Sequence, residues 1–360
     1  MDVYEELREI LDAYPSGAPK SSVFDEIIRS LFTPEEAAIA VKMSFLPKSV
    51  EFIAAACGLS EDKAEEQLEA MADKVIVFCR QKDGKRLYGL LPTIPGLFEF
   101  PLMKGADTPE LKKLGKLWEE YHDEAMGASF SGNPTPLVRV VPVSRSLDTQ
   151  NRAHPYEEVS KFIDDADYIA LAQCACRVSI GKCDAPKDVC IIFGGPGRFL
   201  AERGYAREIS KGEAHKVLDV AEDAGLIHTS NNSADKASLI CNCCPCCCTI
   251  LRGRTKLHLP HAFAVSPFEA QVDADECSGC ATCADERCKM DAIEIIDEKA
   301  VVNAENCVGC GLCVTACPTA SIRLVRRAEA PHIPSTVQEM GLKIAGEKGK
   351  LQKFIEILKR

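Results

Sequence analysis

At 360 residues the chain is too long for one compact core, and two or three domains are expected. Its 46% hydrophobic and 27% charged residues exclude a disordered or fibrous chain. A formal charge of −11, from 43 Lys+Arg against 54 Asp+Glu, disfavours general attraction to nucleic acid or anionic lipid. Cysteine is the outlier, because 18 of the 20 lie between Cys174 and Cys317.

Met1 to Ile10 is acidic and lacks an apolar h-region, and no run of roughly 18 apolar residues suggests a membrane span. A cytoplasmic location is therefore expected. In a reducing pool, dense cysteine points to metal binding rather than to disulfides. Thr33-Pro34-Glu35-Glu36 has the pattern of a helix start. A second helix is predicted over 49–56, closed at Cys57-Gly58, and Ser60 caps a third with Ala64, Leu68 and Met71 on its buried stripe. Two strands, 75–79 and 86–91, flank Asp83-Gly84, a hairpin signal. Cys57 and Cys79 lie in apolar runs and read as core thiols.

Three helices followed by a two-stranded wing resemble a winged-helix domain over residues 21–92. Its third helix carries Glu61, Asp62, Glu65, Glu66, Glu69 and Asp73 against Lys63 and Lys74. Residues 1–100 hold 11 Lys+Arg and 18 Asp+Glu, a net of −7. Such a helix would be repelled by phosphate, so docking or dimerisation is expected rather than nucleic-acid binding.

Pro92 to Pro101 reads as a linker, 110–126 as a helix and 129–136 as a break. A strand is predicted at 137–143 and a helix at 157–164. Gly181 and Gly194-Gly195-Pro196-Gly197 bracket a loop-rich stretch in which GGPG is a plain turn. Ser210 to Ala224 reads as a helix capped at Gly225, with Ala214, Val217, Leu218 and Ala221 on one face.

The most specific signal is C-terminal. Cys277, Cys280, Cys283 and Cys288 are followed 30 residues on by Cys307, Cys310, Cys313 and Cys317-Pro318, and strand-like runs trail both at 292–296 and 321–325. This resembles the bacterial two-cluster ferredoxin module over about 271–327. In that family each tight C-x2-C-x2-C loop wraps three corners of one 4Fe–4S cluster, and the remote cysteine ligates the other. The resemblance implies one cluster on Cys277, Cys280, Cys283 and Cys317, and a second on Cys307, Cys310, Cys313 and Cys288. Four residues rather than three precede Cys288, and Lys289 replaces the usual proline, which alters the expected loop shape.

The remaining cysteines are Cys174, Cys176, Cys183 and Cys190, and then Cys241, Cys243, Cys244, Cys246, Cys247 and Cys248. Six in eight positions cannot all face one metal, so two centres or some free thiols are expected. Ten thiols suffice for one or two further iron–sulfur clusters; structural zinc and unligated thiols are the alternatives. RVVPV at 139–143, HPYEEV at 154–159, CACR at 174–177 and CNCCPCCC at 241–248 are together similar to ferredoxin-like iron–sulfur proteins of anaerobic bacteria and archaea. Arg177 would then sit beside a cluster, where a cation raises its potential, or else is an ordinary surface arginine. His154, His215, His228, His258 and His261 form no ligand-spaced pair and read as surface or loop residues.

The expected class is α+β. It comprises a winged-helix-like domain (1–92), a linker and helix (93–136), a cysteine-rich α/β domain (137–270), a two-cluster ferredoxin fold (271–327) and a C-terminal amphipathic helix (328–360). In that helix Leu351, Phe354, Ile355 and Leu358 form an apolar stripe among lysines, packed on the chain's own core or docked on a partner. The expected function is a polyferredoxin-type electron carrier between redox partner proteins or within an oxidoreductase complex, and a homo-oligomer is compatible with it. The alternatives are a reductase with substrate on the middle cluster and a redox-sensing winged-helix regulator, and whether the chain is itself an enzyme is left open.

Overall fold

The computed structural model describes residues 2–147 and 155–360. His154, with the start of its motif, lies outside them. The chain is mixed helix and sheet. The first elements are α1 (Val3–Asp12), α2 (Ser22–Leu31), α3 (Pro34–Ala40), β1 (Lys48–Ser49), α4 (Val50–Cys57) and α5 (Glu61–Asp73). Side-chain oxygens of Ser21, Thr33, Ser49 and Ser60 accept from first-turn N–H groups and start four of these helices. Thr33 and Glu36 cap reciprocally, with Pro34 at the first helical position. The hairpin β2 (Val77–Lys82) and β3 (Lys85–Leu90) turns through Asp83 and Gly84, both at positive φ, and β1 joins it in the order β1-β3-β2. Cys79 is buried, whereas Cys57 is only half-buried at the end of α4.

Pro92 to Pro101 is packed, not a free linker. Leu97, Phe98, Phe100 and Leu102 are buried, and Phe98 meets Trp118 edge-on at 5.4 Å. Trp118 lies on α6 (Pro109–Tyr121), and Tyr121 stacks on Phe24 of α2 at 4.5 Å. The helix does not stop at 126. It passes through one wide turn, His122–Met126, into α7 (Gly127–Ser131). Aromatic burial thus ties this segment to the N-terminal helices.

The middle elements are β4 (Val138–Val140), α8 (Val159–Asp164), β5 (Ile169–Gln173), α9 (Ala175–Ile180), β6 (Asp188–Phe193), α10 (Gly194–Glu202), β7 (Arg207–Glu208), α11 (Lys211–Asp223), β8 (Ile227–Asn231), β9 (Leu239–Cys243) and α12 (Thr249–Thr255). Six strands form a sheet in the order β4-β8-β9-β6-β5-β7, with every pairing antiparallel. The expected α/β arrangement is thereby corrected, since it would require parallel strands joined by crossover helices. Alternation divides the sheet's faces. Ala172, Cys190 and Ile192 join the core shared with the N-terminal helices, while Ile169, Leu171, Ile191 and Phe193 pack with α8 and α11. The GGPG run is not a plain turn but the first turn of α10, directly after β6. A Cβ on Gly197 would press on the Ile192 carbonyl, so glycine permits the close approach of helix and strand.

Next come β10 (Phe268–Val272), β11 (Ile293–Ile296), β12 (Lys299–Val302), α13 (Leu312–Thr315) and β13 (Ile322–Arg326). They form two ribbons, β10 with β13 and β11 with β12. The tail is a helix pair, α14 (Val337–Glu347) and α15 (Leu351–Lys359). No helix among the described residues is long and apolar enough to cross a membrane.

α15 packs on the chain's own N-terminal helices, but on a shifted face. Phe354 and Ile357 are buried, Ile355 and Leu358 half-buried, and Leu351 is 37% exposed. The Phe354 ring lies 5.7 Å from Tyr14, and Lys350 Nζ is 2.7 Å from Asp12. Phe354→Ala is therefore expected to cost about 3 kcal/mol of stability, and Leu351→Ala no more than about 0.5 kcal/mol. Denaturant melts of both variants check this; equal losses would show that the stripe is not seated as described.

Candidate metal centres

Two cavities lie in the C-terminal region. One is lined by Cys277, Cys280, Cys283 and Cys317, the other by Cys288, Cys307, Cys310 and Cys313. These are the groupings that the resemblance to the two-cluster ferredoxin module implies. The extra residue before Cys288 is absorbed in a wide turn over Cys283–Arg287, where the Cys288 N–H donates to the Cys283 carbonyl at 2.9 Å. The two ends of that turn consequently face different cavities. Arg287 donates to the carbonyls of Glu222 and Asp223 and so satisfies the C-terminus of α11.

The cavities fit iron–sulfur clusters. Backbone N–H groups of Ala270, Ala292 and Ala300 donate to Cys307 Sγ (3.5 Å), Cys288 Sγ (3.2 Å) and Cys277 Sγ (3.4 Å). Gly309, at positive φ in the second loop, leaves no room for a Cβ beside the Phe268 carbonyl. Burial pushes the Cys310 thiol up to about 12. Cys317 is held at about 7, because hydrogen bonds with Ser321 and Thr319 outweigh its burial. Cys280 is exposed, whereas Cys307 and Cys313 are buried, so the first cavity lies nearer to solvent.

The ten middle cysteines separate into two sets. On β9 the two-residue period turns Cys241 and Cys243 to one face and Asn242 to the other. Cys190 of β6 neighbours Cys241, and Cys248 at the start of α12 neighbours Cys243 and Cys176. Cys176 in turn adjoins Cys174 at the start of α9. Of these six, Cys176, Cys190 and Cys241 pack in the core shared with the N-terminal helices, Cys243 and Cys248 lie in a neighbouring buried cluster, and Cys174 packs beside Val189 and Leu226. Hydrogen bonding with Cys174 and Cys248 holds Cys176 well below the ordinary thiol range, and it raises Cys174 and Cys248.

The other four, Cys183, Cys244, Cys246 and Cys247, gather where the chain turns after β9. A hydrogen bond with Cys247 and another from Arg177 bring Cys244 down to about 4, against the opposing effect of burial. Arg177 is no surface residue. It is 1% exposed, with Nη1 3.5 Å from Cys244 Sγ and both terminal nitrogens 3.0 Å from the Asn242 carbonyl.

His228 is likewise a buried strand residue rather than a loop histidine. It pairs across strands with Asn242 and faces Glu222. It belongs to the packing behind β9, on the face that carries Asn242. Two groups beside the six-cysteine set escape the sequence reading. His122 is buried between the Thr249 carbonyl (2.9 Å) and Arg252 (2.8 Å), and the Thr249 hydroxyl lies 3.4 Å from Cys176 Sγ. Burial, and then the Arg252 charge, lower the His122 pKa and favour the neutral ring. Desolvation raises the Glu99 carboxyl to about 8, opposed by the Gly96 N–H and assisted by the Cys176 thiolate. Nothing in the local sequence of His122 or Glu99 marks them, since both reach the site through tertiary packing.

The sites also share apolar surroundings. Cys243 and Cys248 belong to one buried cluster with Met290, Val308 and Leu312, against which Cys288 and Cys310 pack. No curated protein matches the chain. The 4Fe-4S binding domain family matches residues 300–323, which include Cys307, Cys310, Cys313 and Cys317. The chain therefore carries a ferredoxin-type iron–sulfur module.

Proposed function

We propose that the chain relays low-potential electrons between redox partner proteins, as a polyferredoxin-type carrier. The observation that carries this reading is the pair of cavities, each lined by four cysteines drawn from both halves of the repeat. Cys277, Cys280, Cys283 and Cys317 would hold one 4Fe–4S cluster, and Cys288, Cys307, Cys310 and Cys313 a second. Cys174, Cys176, Cys190, Cys241, Cys243 and Cys248 supply ligands for at least one further iron–sulfur centre. A bound 4Fe–4S cluster supplies one-electron transfer at a potential set by charge, hydrogen bonds to sulfur and exposure.

The chain's residues do the remaining work. N–H groups of Ala270, Ala292 and Ala300 stabilise negative charge on the sulfurs they face. Met290, Val308 and Leu312 exclude water between the second cavity and the middle cysteines. Cys280 is exposed at the outer end, and Ile295, Ile296 and Val301 stand exposed on the β11–β12 ribbon. That apolar rim suits a transient redox partner.

The order of elements over residues 22–90 and the sheet order β1-β3-β2 support a winged-helix-like module. We read it as a packing element. Arg203 after α10 pairs with Glu69 and Asp73 of α5, and Phe78 meets Phe199 at 5.3 Å. The Glu69 and Asp73 end of the acidic helix is thus engaged within the chain, and Glu61, Asp62, Glu65 and Glu66 remain exposed. Duplex DNA binding is expected to be absent at about 0.15 M salt; retention of a specific duplex in a gel shift would promote the regulator reading.

Anaerobically purified protein should contain about eight irons in the C-terminal module and about four or more in the middle region, with matching sulfide. Cys310→Ser should remove roughly four irons and leave the rest in place. Zinc in the module, or a lone 2Fe–2S spectrum after reduction, would overturn the assignment.

A further inference from the structure

The smaller middle set has dimensions of its own. Cys183 Sγ lies 3.7 Å from Cys244 Sγ and 3.8 Å from Cys247 Sγ, and with Cys246 all four sulfurs lie within 4.8 Å of one another. Four thiolates on a single tetrahedral zinc, with Zn–S of about 2.3 Å, stand about 3.8 Å apart along each edge. In a 4Fe–4S cubane each thiolate is bonded to a different iron at a different corner, which holds the sulfurs farther apart. Among the described residues, no other group of three or more Cys, His, Asp or Glu gathers this tightly, and the eight C-terminal cysteines do not.

We propose that Cys183, Cys244, Cys246 and Cys247 form a mononuclear structural zinc site, separate from the iron–sulfur centres. Zinc binding displaces the thiol protons to solvent and leaves a four-thiolate centre of net charge −2. The buried guanidinium of Arg177, 3.5 Å from Cys244 Sγ, offsets part of that charge. The local fold also favours a cross-link here. Cys183 sits in residues 181–187, a stretch without helix or strand, and the metal would pin it to the turn after β9.

The surroundings point away from electron transfer. Cys244 and Cys247 pack with Val189, Ala221 and Leu226, a cluster that Cys174 also borders but that is distinct from the one joining Cys243 and Cys248 to Cys288 and Cys310. Cys246 is exposed, and a metal without redox chemistry is not lost there by oxidation.

The test uses the full chain, purified anaerobically from cells supplied with both iron and zinc. About one zinc per chain is expected beside the iron, with a zinc absorption edge fitted by four sulfurs at about 2.3 Å. Cys246→Ser should lower zinc and leave iron and sulfide unchanged, and Cys246→His, which keeps a tetrahedral donor set, should restore zinc. The inference is independent of the electron-relay reading, because zinc and iron are counted separately. It is overturned if wild-type protein lacks zinc, if Cys246→Ser removes about four irons, or if a single rubredoxin-like iron occupies the site. Should Cys246→Ser not fold, the zinc count and absorption edge of the wild-type chain decide the question alone.

Discussion

Like charges set the terms for this molecule. Each thiolate brought to a point makes the next harder to ionise, yet the chain gathers its cysteines into groups of four and six. The strain is visible where they crowd: hydrogen bonding to Cys190 and to Cys241 drives Cys241 and Cys243, respectively, well above the ordinary thiol range. Crowding thus keeps most of these thiols protonated, and a thiolate is favoured where a donor or cation faces it, as the buried Arg177 faces Cys244.

Strand β9 organises how that charge is distributed. Its pleat sends Cys241 and Cys243 to one face and Asn242 to the other, toward His228, and the turn that follows gathers Cys244, Cys246 and Cys247 with Cys183. One short segment therefore contributes to both cysteine sets, and Arg177 donates to the carbonyl of its Asn242. The same economy recurs in the C-terminal module, where Cys283 and Cys288 close a single turn yet face different cavities.

The tight C-terminal loops were legible because each is local and the repeat is nearly unbroken, whereas the crossing of Cys288 and Cys317 to the opposite cavities came only with the family resemblance. Helix starts at Thr33, Ser49, Ser60 and Ser210 were legible for the same reason, since a cap acts within one turn. What depended on register or packing was not. The division of Cys241–Cys248 follows from the pairing of β9 with β6 and β8, which no spacing reports. Strand direction is likewise silent in periodicity, so the antiparallel middle sheet was unforeseen. The apolar run at 188–193 is a strand that turns GGPG into a helix start. On α15 the stripe counted from Leu351 missed Ile357, because tertiary contact rather than heptad arithmetic selects the buried face.

The seating of α15 against α1 bears on the order of events during synthesis. Phe354 packs on Tyr14, and Lys350 and Lys353 pair with Asp12 and Glu9, contacts that span almost the whole chain. The N-terminal helices cannot complete their packing until residues 351–359 have left the ribosome. Those helices share a core with the sheet face that carries Cys190 and Cys241. The interval before closure is thus a window in which cysteines that the finished fold encloses still face solvent.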